Sequence, residues 1–136
     1  MAVLTLPSDM IGFYKNHIEY ITEHAVDPDK RRYAVQGEAE RHYIDIDHYE
    51  TDSISPFKLV PRKWDEAVAK FTEDTLRAYG IVPWHISLMV YQLSKAFKED
   101  NFDKILRLSA DIGHYIGDAH VPLHTTENYN GQLTNQ

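Results

Sequence analysis

His114, Asp118 and His124 are the residues whose types and spacing first suggest chemistry. His114 and Asp118 are four positions apart, so on a helix they project from one face. Pro122 prevents the helix from continuing, and His124 follows the turn this forces. Two nitrogen donors and one carboxylate arranged in this way can converge on one ion. The pattern H-x3-D-x5-H suits nitrogen and oxygen ligation of zinc. A His and an Asp one helical turn apart are also consistent with a simple hydrogen-bonded pair or a hydrated face, so the triplet needs partners from elsewhere in the chain.

The rest of the composition limits what those partners can be. The chain has 136 residues, enough for one domain with a core and too few for two. There is no cysteine, so thiolate ligands and disulfides are excluded, and eight histidines are the natural nitrogen donors. The formal net charge is −7, against a protein that holds nucleic acid through its phosphates alone. Any phosphate must be met locally, by a metal or by a few cations. No apolar run is long enough to span a bilayer, and the first residues lack the basic start and apolar length of a secretory signal.

The elements that must position these residues read as helices, giving an all-α domain over 1–136. Ser8 reads as a cap opening a helix over 8–25, with Met10, Tyr14, Ile18 and Ile21 inward and His17 half-buried on the edge of the stripe. Pro61 opens a second helix over 61–79, with Trp64, Val68, Phe71 and Leu76 apolar and Gly80 closing it. Pro83 opens a third over 83–99, with Ile86, Met89, Val90, Leu93 and Phe97 as its buried stripe. A fourth, over 102–119, turns Ile105, Leu108, Ile112 and Ile116 inward and carries His114 and Asp118. Between the first two helices, 27–57 is polar and irregular. Its alternating stretch His42–Tyr49 suggests a short strand, but no second strand pairs with it, so it reads as an extended, partly buried loop of functional length.

That loop supplies Asp27, Asp29, His42, Asp45, Asp47 and His48 as further donors. With Ala25-Val26-Asp27 and His42 upstream, and His114-x3-Asp118-x5-His124 preceded by Pro122-Leu123 downstream, the chain resembles the zinc-dependent phospholipase C and single-strand nuclease superfamily, as a bacterial member. The resemblance spans nearly the whole sequence. It implies a multi-helix bundle that holds up to three zinc ions and hydrolyses phosphodiesters. The implied substrates are single-stranded nucleic acid or a phospholipid head group.

By position, the resemblance implies that Asp27, His42, His114 and Asp118 surround one zinc. Asp118 also reaches a neighbouring ion, and His124 begins the remaining site. It implies that Asp27 orients the attacking water, that Lys30 or Arg31, with Arg32 beside them, holds phosphate, that Tyr43 stacks on a base and that Asp45 binds the base edge. Pro28 and Ala39 stand where phospholipases place the aromatics that cradle choline, which disfavours a choline lipid. Asp29, Asp45 and Asp47 otherwise read as a solvated acidic face, His48 and His120 as surface residues and His85 as satisfied in the core; Asp111 is a candidate to orient His114.

The family's amino-terminal Trp and following His, and its later H-x3-E/D pair, have no counterpart between Met1 and Gln136. The chain therefore reads as an incomplete copy, cut at both ends, with one zinc site nearly complete and weak or absent activity. For a full-length protein the resemblance implies secretion or a periplasmic location. The contrasting expectation is a non-catalytic helical domain that binds one metal or none.

Overall fold

The computed structural model describes residues 2–51 and 54–134; the last residues of the polar carboxy-terminal run, Asn135 and Gln136, lie outside them. The fold is all-α, with no strand among the described residues. No described helix is long and apolar enough to cross a membrane.

The centre of the fold is α8 (Phe102–Ala119). Its start is fixed by Asn101, whose side-chain oxygen accepts from the Lys104 amide at 3.1 Å. Ile105, Leu108 and Tyr115 are buried along one face. Its main partner is α7 (Val82–Lys98), which opens on Pro83 and ends with Lys95 and Lys98 near the carbonyl end. Asp100, at φ 51°, then turns the chain sharply. The Asn101 and Asp100 amides return to the carbonyls of Ala96 and Phe97, closing the helix in a Schellman arrangement. That short turn sets α7 and α8 side by side and antiparallel.

The first expected helix is two, α1 (Ser8–Asn16) and α2 (Ile18–His24), broken where His17 leaves helical geometry at φ −117°, ψ 19°. Pro7, not Ser8, occupies the cap position. His17 is exposed rather than half-buried, and Ile18 is exposed too. A short α3 (Asp27–Arg31) lies within the stretch expected to be irregular, and α4 (Pro56–Leu59) begins at its end.

The second expected helix is also two, α5 (Trp64–Phe71) and α6 (Glu73–Ala78). Thr72, at φ 68°, separates them and caps α6 by accepting from the Thr75 amide. The helix starts at Trp64 rather than Pro61, whose carbonyl accepts from the Trp84 indole instead. On α7 and α8, Val90, Phe97 and Ile116 are exposed rather than inward, because each helix buries a narrower face than its apolar residues allow.

The alternating stretch is held on both sides without being a strand. The Ile44 and Ile46 amides donate to the carbonyls of His124 and Thr125 beyond α8, while the Asp45 amide donates to Tyr79. On the α7 side, the Ile81 and Val82 amides donate to Glu40 and Tyr43. Gly80 is required at this crossing. Its φ is +87°, and a Cβ there would lie 2.2 Å from the Tyr43 carbonyl oxygen. Ile44 and Tyr49 thereby reach the core, and Tyr43 and Asp45 face a cleft.

Candidate metal centre

Three short-range facts place the central donors. His114 and Asp118 lie one turn apart on α8, with His114 Nε2 3.3 Å from Asp118 Oδ2. His42 follows a 3-10 turn (Ala39–Arg41), and its Nδ1 lies 2.9 Å from Asp118 Oδ2 and 3.3 Å from His114 Nε2. On α3, Asp29 Oδ1 lies 3.5 Å from His114 Nε2 and 3.9 Å from His42 Nδ1. Asp29, His42 and His114 each offer an atom within 4.8 Å of the others.

The separations of 3.3, 3.3 and 3.5 Å suit a shared ion, and those of 2.9 and 3.9 Å fall to either side of them. Bonds of about 2.0–2.2 Å in tetrahedral geometry put neighbouring donor atoms roughly 3.3–3.6 Å apart. The ring orientations fit as well. His114 Nδ1 lies 3.0 Å from the Ala25 carbonyl, which can only accept, so the ring proton belongs on Nδ1 and the Nε2 lone pair faces the cluster. Neither Asp29 nor Asp118 has a lysine or arginine at salt-bridge distance among the described residues. Two carboxylates and two imidazole nitrogens thus converge with no protein cation among them.

Asp27 does not join them. Its Oδ1 accepts from Lys30 at 2.7 Å and its Oδ2 lies 2.6 Å from His24 Nδ1. These partners hold its carboxyl down to about 2, Lys30 contributing most. The carboxylate from this stretch that reaches the imidazoles is Asp29, whose side chain is still 58% exposed, so it also lies on the solvated face expected of it. On α3 the two aspartates are two positions apart, roughly 200° around the helix, so they cannot share a face.

The other expected residues divide in two. His124 Nε2 is 3.9 Å from Asp118 Oδ1, at the margin of the cluster. A cleft of about 360 Å³ beside it is lined by Arg32, His42, Tyr43, Asp45, His124 and Tyr129, among others. Burial, with Asp47 and Glu127 nearby, raises the Asp45 carboxyl above its usual range. Lys30 is bound to Asp27, and Arg31 points behind His42, to Asp111 at 2.9 Å and towards Glu38 at 3.7 Å. Of the three adjacent cations, Arg32 is the one at the cleft.

Behind His42 lies a second polar group that sequence reasoning missed. Glu38 is 1% exposed, accepts from Arg41 Nη1 at 2.7 Å and accepts a short hydrogen bond from the Tyr115 hydroxyl. Asp111 belongs here, bound to Arg31, and does not orient His114. The recoverable signal was the Glu38-x3-His42 spacing with Arg41 between. His85 packs edge-on against Tyr115, and burial lowers its titration to about 4. His48 is exposed, stacks on Tyr79 and lies 3.1 Å from Glu127. His120 is exposed at the end of α8, with Nδ1 2.7 Å from the Ile116 carbonyl.

No family model, no curated protein and no solved structure matches the chain. A functional reading therefore has to stand on the chemistry of these residues.

Proposed function

We propose that this domain binds zinc at Asp29, His42, His114 and Asp118 and hydrolyses phosphodiester bonds in the adjoining cleft. The observation that carries the reading is the convergence of two imidazole nitrogens and two carboxylates with no lysine or arginine at salt-bridge distance from those carboxylates among the described residues. A donor set of nitrogen and carboxylate oxygen, without sulfur, belongs to zinc and related divalent ions. The spacing of the donor atoms supports the same choice.

A zinc ion bound here would supply a water that ionises near neutral pH and a charge to stabilise phosphoryl oxygens. The protein's part is positioning. Asp29 takes the ligand place that the resemblance gave to Asp27. Arg32 replaces Lys30 and Arg31 as the cation for a phosphate oxygen, since it alone of the three lines the cleft. Tyr43 and Tyr129 offer aromatic walls, and Asp45 an acceptor, for the group attached to the phosphate. Asp118 Oδ1 and His124 Nε2, 3.9 Å apart, supply two donors for a neighbouring ion. A single-stranded nucleic acid fits aromatic walls with an acceptor between them better than a choline head group does.

A second reading is a domain that binds zinc without catalysis. Four protein donors around one ion favour it, because a closed coordination shell tends to structure rather than chemistry. The test is hydrolysis of bis(p-nitrophenyl) phosphate, single-stranded DNA and phosphatidylcholine, with and without zinc. Zinc-dependent turnover that is lost in Asp29→Asn and retained in Asp27→Asn supports the hydrolase. Tight zinc binding with no turnover of any substrate supports the structural reading instead.

A further inference from the structure

We infer that Glu38 is a positioning residue that holds the His42 imidazole by its Nε2–H, and so presents Nδ1 to the metal cluster. The inference rests on the zinc-site reading above, and it assigns a task to a carboxylate that the site itself does not use.

His42 is 3% exposed, and its Nε2 is buried with no hydrogen-bond partner among the described residues. A buried polar atom left in that state is costly, so an unpaired one calls for an explanation. The facing polar atom is Glu38 Oε1, at 3.8 Å. That is too long for a hydrogen bond, and closing it by about 1 Å would give an ordinary N–H···O bond.

The other ring nitrogen decides which state makes that bond. Nδ1 lies among Asp118 Oδ2, His114 Nε2 and Asp29 Oδ1. With a neutral ring and its proton on Nδ1, the bare lone pair of Nε2 would face a buried carboxylate, which repels it. With a cation on Nδ1, the ring proton sits on Nε2 and points at Glu38. Carboxylate–histidine–metal chains orient ligands in this way, and losing the outer carboxylate typically weakens metal binding about 10–100-fold.

Glu38 is also built to stay put. Arg41 donates to its Oε2, Tyr115 donates to its Oε1, and Arg31 Nε lies 3.7 Å away. Oε1 is therefore the atom shared between Tyr115 and His42. This gives the inference a distinctive sign. Tyr115→Phe removes a competitor for Oε1 and should leave zinc affinity unchanged or raise it, whereas Glu38→Gln should weaken it about 10–100-fold. A carboxylate that only held the fold together would make both substitutions weaken zinc.

The experiment is chelator competition for zinc on wild type, His114→Ala, Glu38→Gln and Tyr115→Phe, with nitrogen-15 NMR of the imidazoles in zinc-loaded wild type. The expected spectrum has the His42 proton on Nε2, slow to exchange. That spectrum needs no variant to fold. Equal affinity of wild type and Glu38→Gln, or a His42 ring protonated on Nδ1 in the loaded protein, overturns the inference while His114→Ala still loses zinc. Wild type that takes up no zinc, or His114→Ala that binds it as well as wild type, overturns the zinc site and the inference with it.

Discussion

On either side of His42 lies a group of carboxylates, and the two groups are neutralised in opposite ways. Behind the ring, Glu38 and Asp111 each have an arginine, Arg41 at 2.7 Å and Arg31 at 2.9 Å. In front of it, Asp29 and Asp118 meet imidazoles, with no lysine or arginine at salt-bridge distance among the described residues. The rear group is a closed structural network whose cations are part of the chain. The front group is short of positive charge, and the proposed ion would supply it. The two groups also differ in depth, Glu38 being 1% exposed and Asp29 58%, but the presence of a resident cation is what separates a closed network from a candidate ligand site.

Breaking the rear group should have the largest effect. Glu38→Ala leaves Arg41 and the Tyr115 hydroxyl without their buried acceptor, and should cost about 3–5 kcal/mol in urea unfolding, the range for removing one partner of a buried ion pair. Asp118→Asn in the front group should change metal-free stability by less than about 1 kcal/mol, because no cation loses a partner. Equal losses from the two would erase the contrast between them.

A smaller loss should follow from disturbing how His42 reaches the boundary between the groups. Gly80→Ala combines a positive φ with a clash against the Tyr43 carbonyl, and should cost about 2 kcal/mol or more by thermal unfolding. Metal-free stability matching wild type would mean that the 40–46 segment is not pinned there.

The smallest expected effect is a pH slope on the rear side. His85 titrates at about 4 in the fold against an ordinary 6.5, so the unfolded chain binds the extra proton between these values. Its contribution is complete above pH 6.5 and is lost as pH falls towards 4. The partly exposed ring limits this to on the order of 1–2 kcal/mol. His85→Gln should flatten that part of the stability profile, and an unchanged slope would assign the acid sensitivity to other groups.

The parts of this molecule that were legible in the sequence depend on local spacing. The 102–119 helix, with His114 and Asp118 on one face, follows from the helical period. The breaks at His17 and Thr72 were not read, because apolar periodicity runs through both. At the second, Thr72 followed by Glu73 and Asp74 is a capping signature that outweighs that periodicity.

The choice between Asp27 and Asp29 depended on the phase of a one-turn helix. Neither composition nor the cations that follow could set that phase. Glu38 was hidden for a different reason. A glutamate in a polar stretch reads as solvated, and its burial arises only when α8 brings Tyr115, and α3 brings Arg31, across from it.

On the proposed reading, the front group is a metal site assembled around Asp29 rather than Asp27. Metal analysis of zinc-equilibrated wild type, Asp29→Asn and Asp27→Asn after gel filtration tests it most directly. Close to one tightly held zinc per chain is expected in wild type and Asp27→Asn, and a large loss in Asp29→Asn. Zinc retained in Asp29→Asn and lost in Asp27→Asn would contradict it.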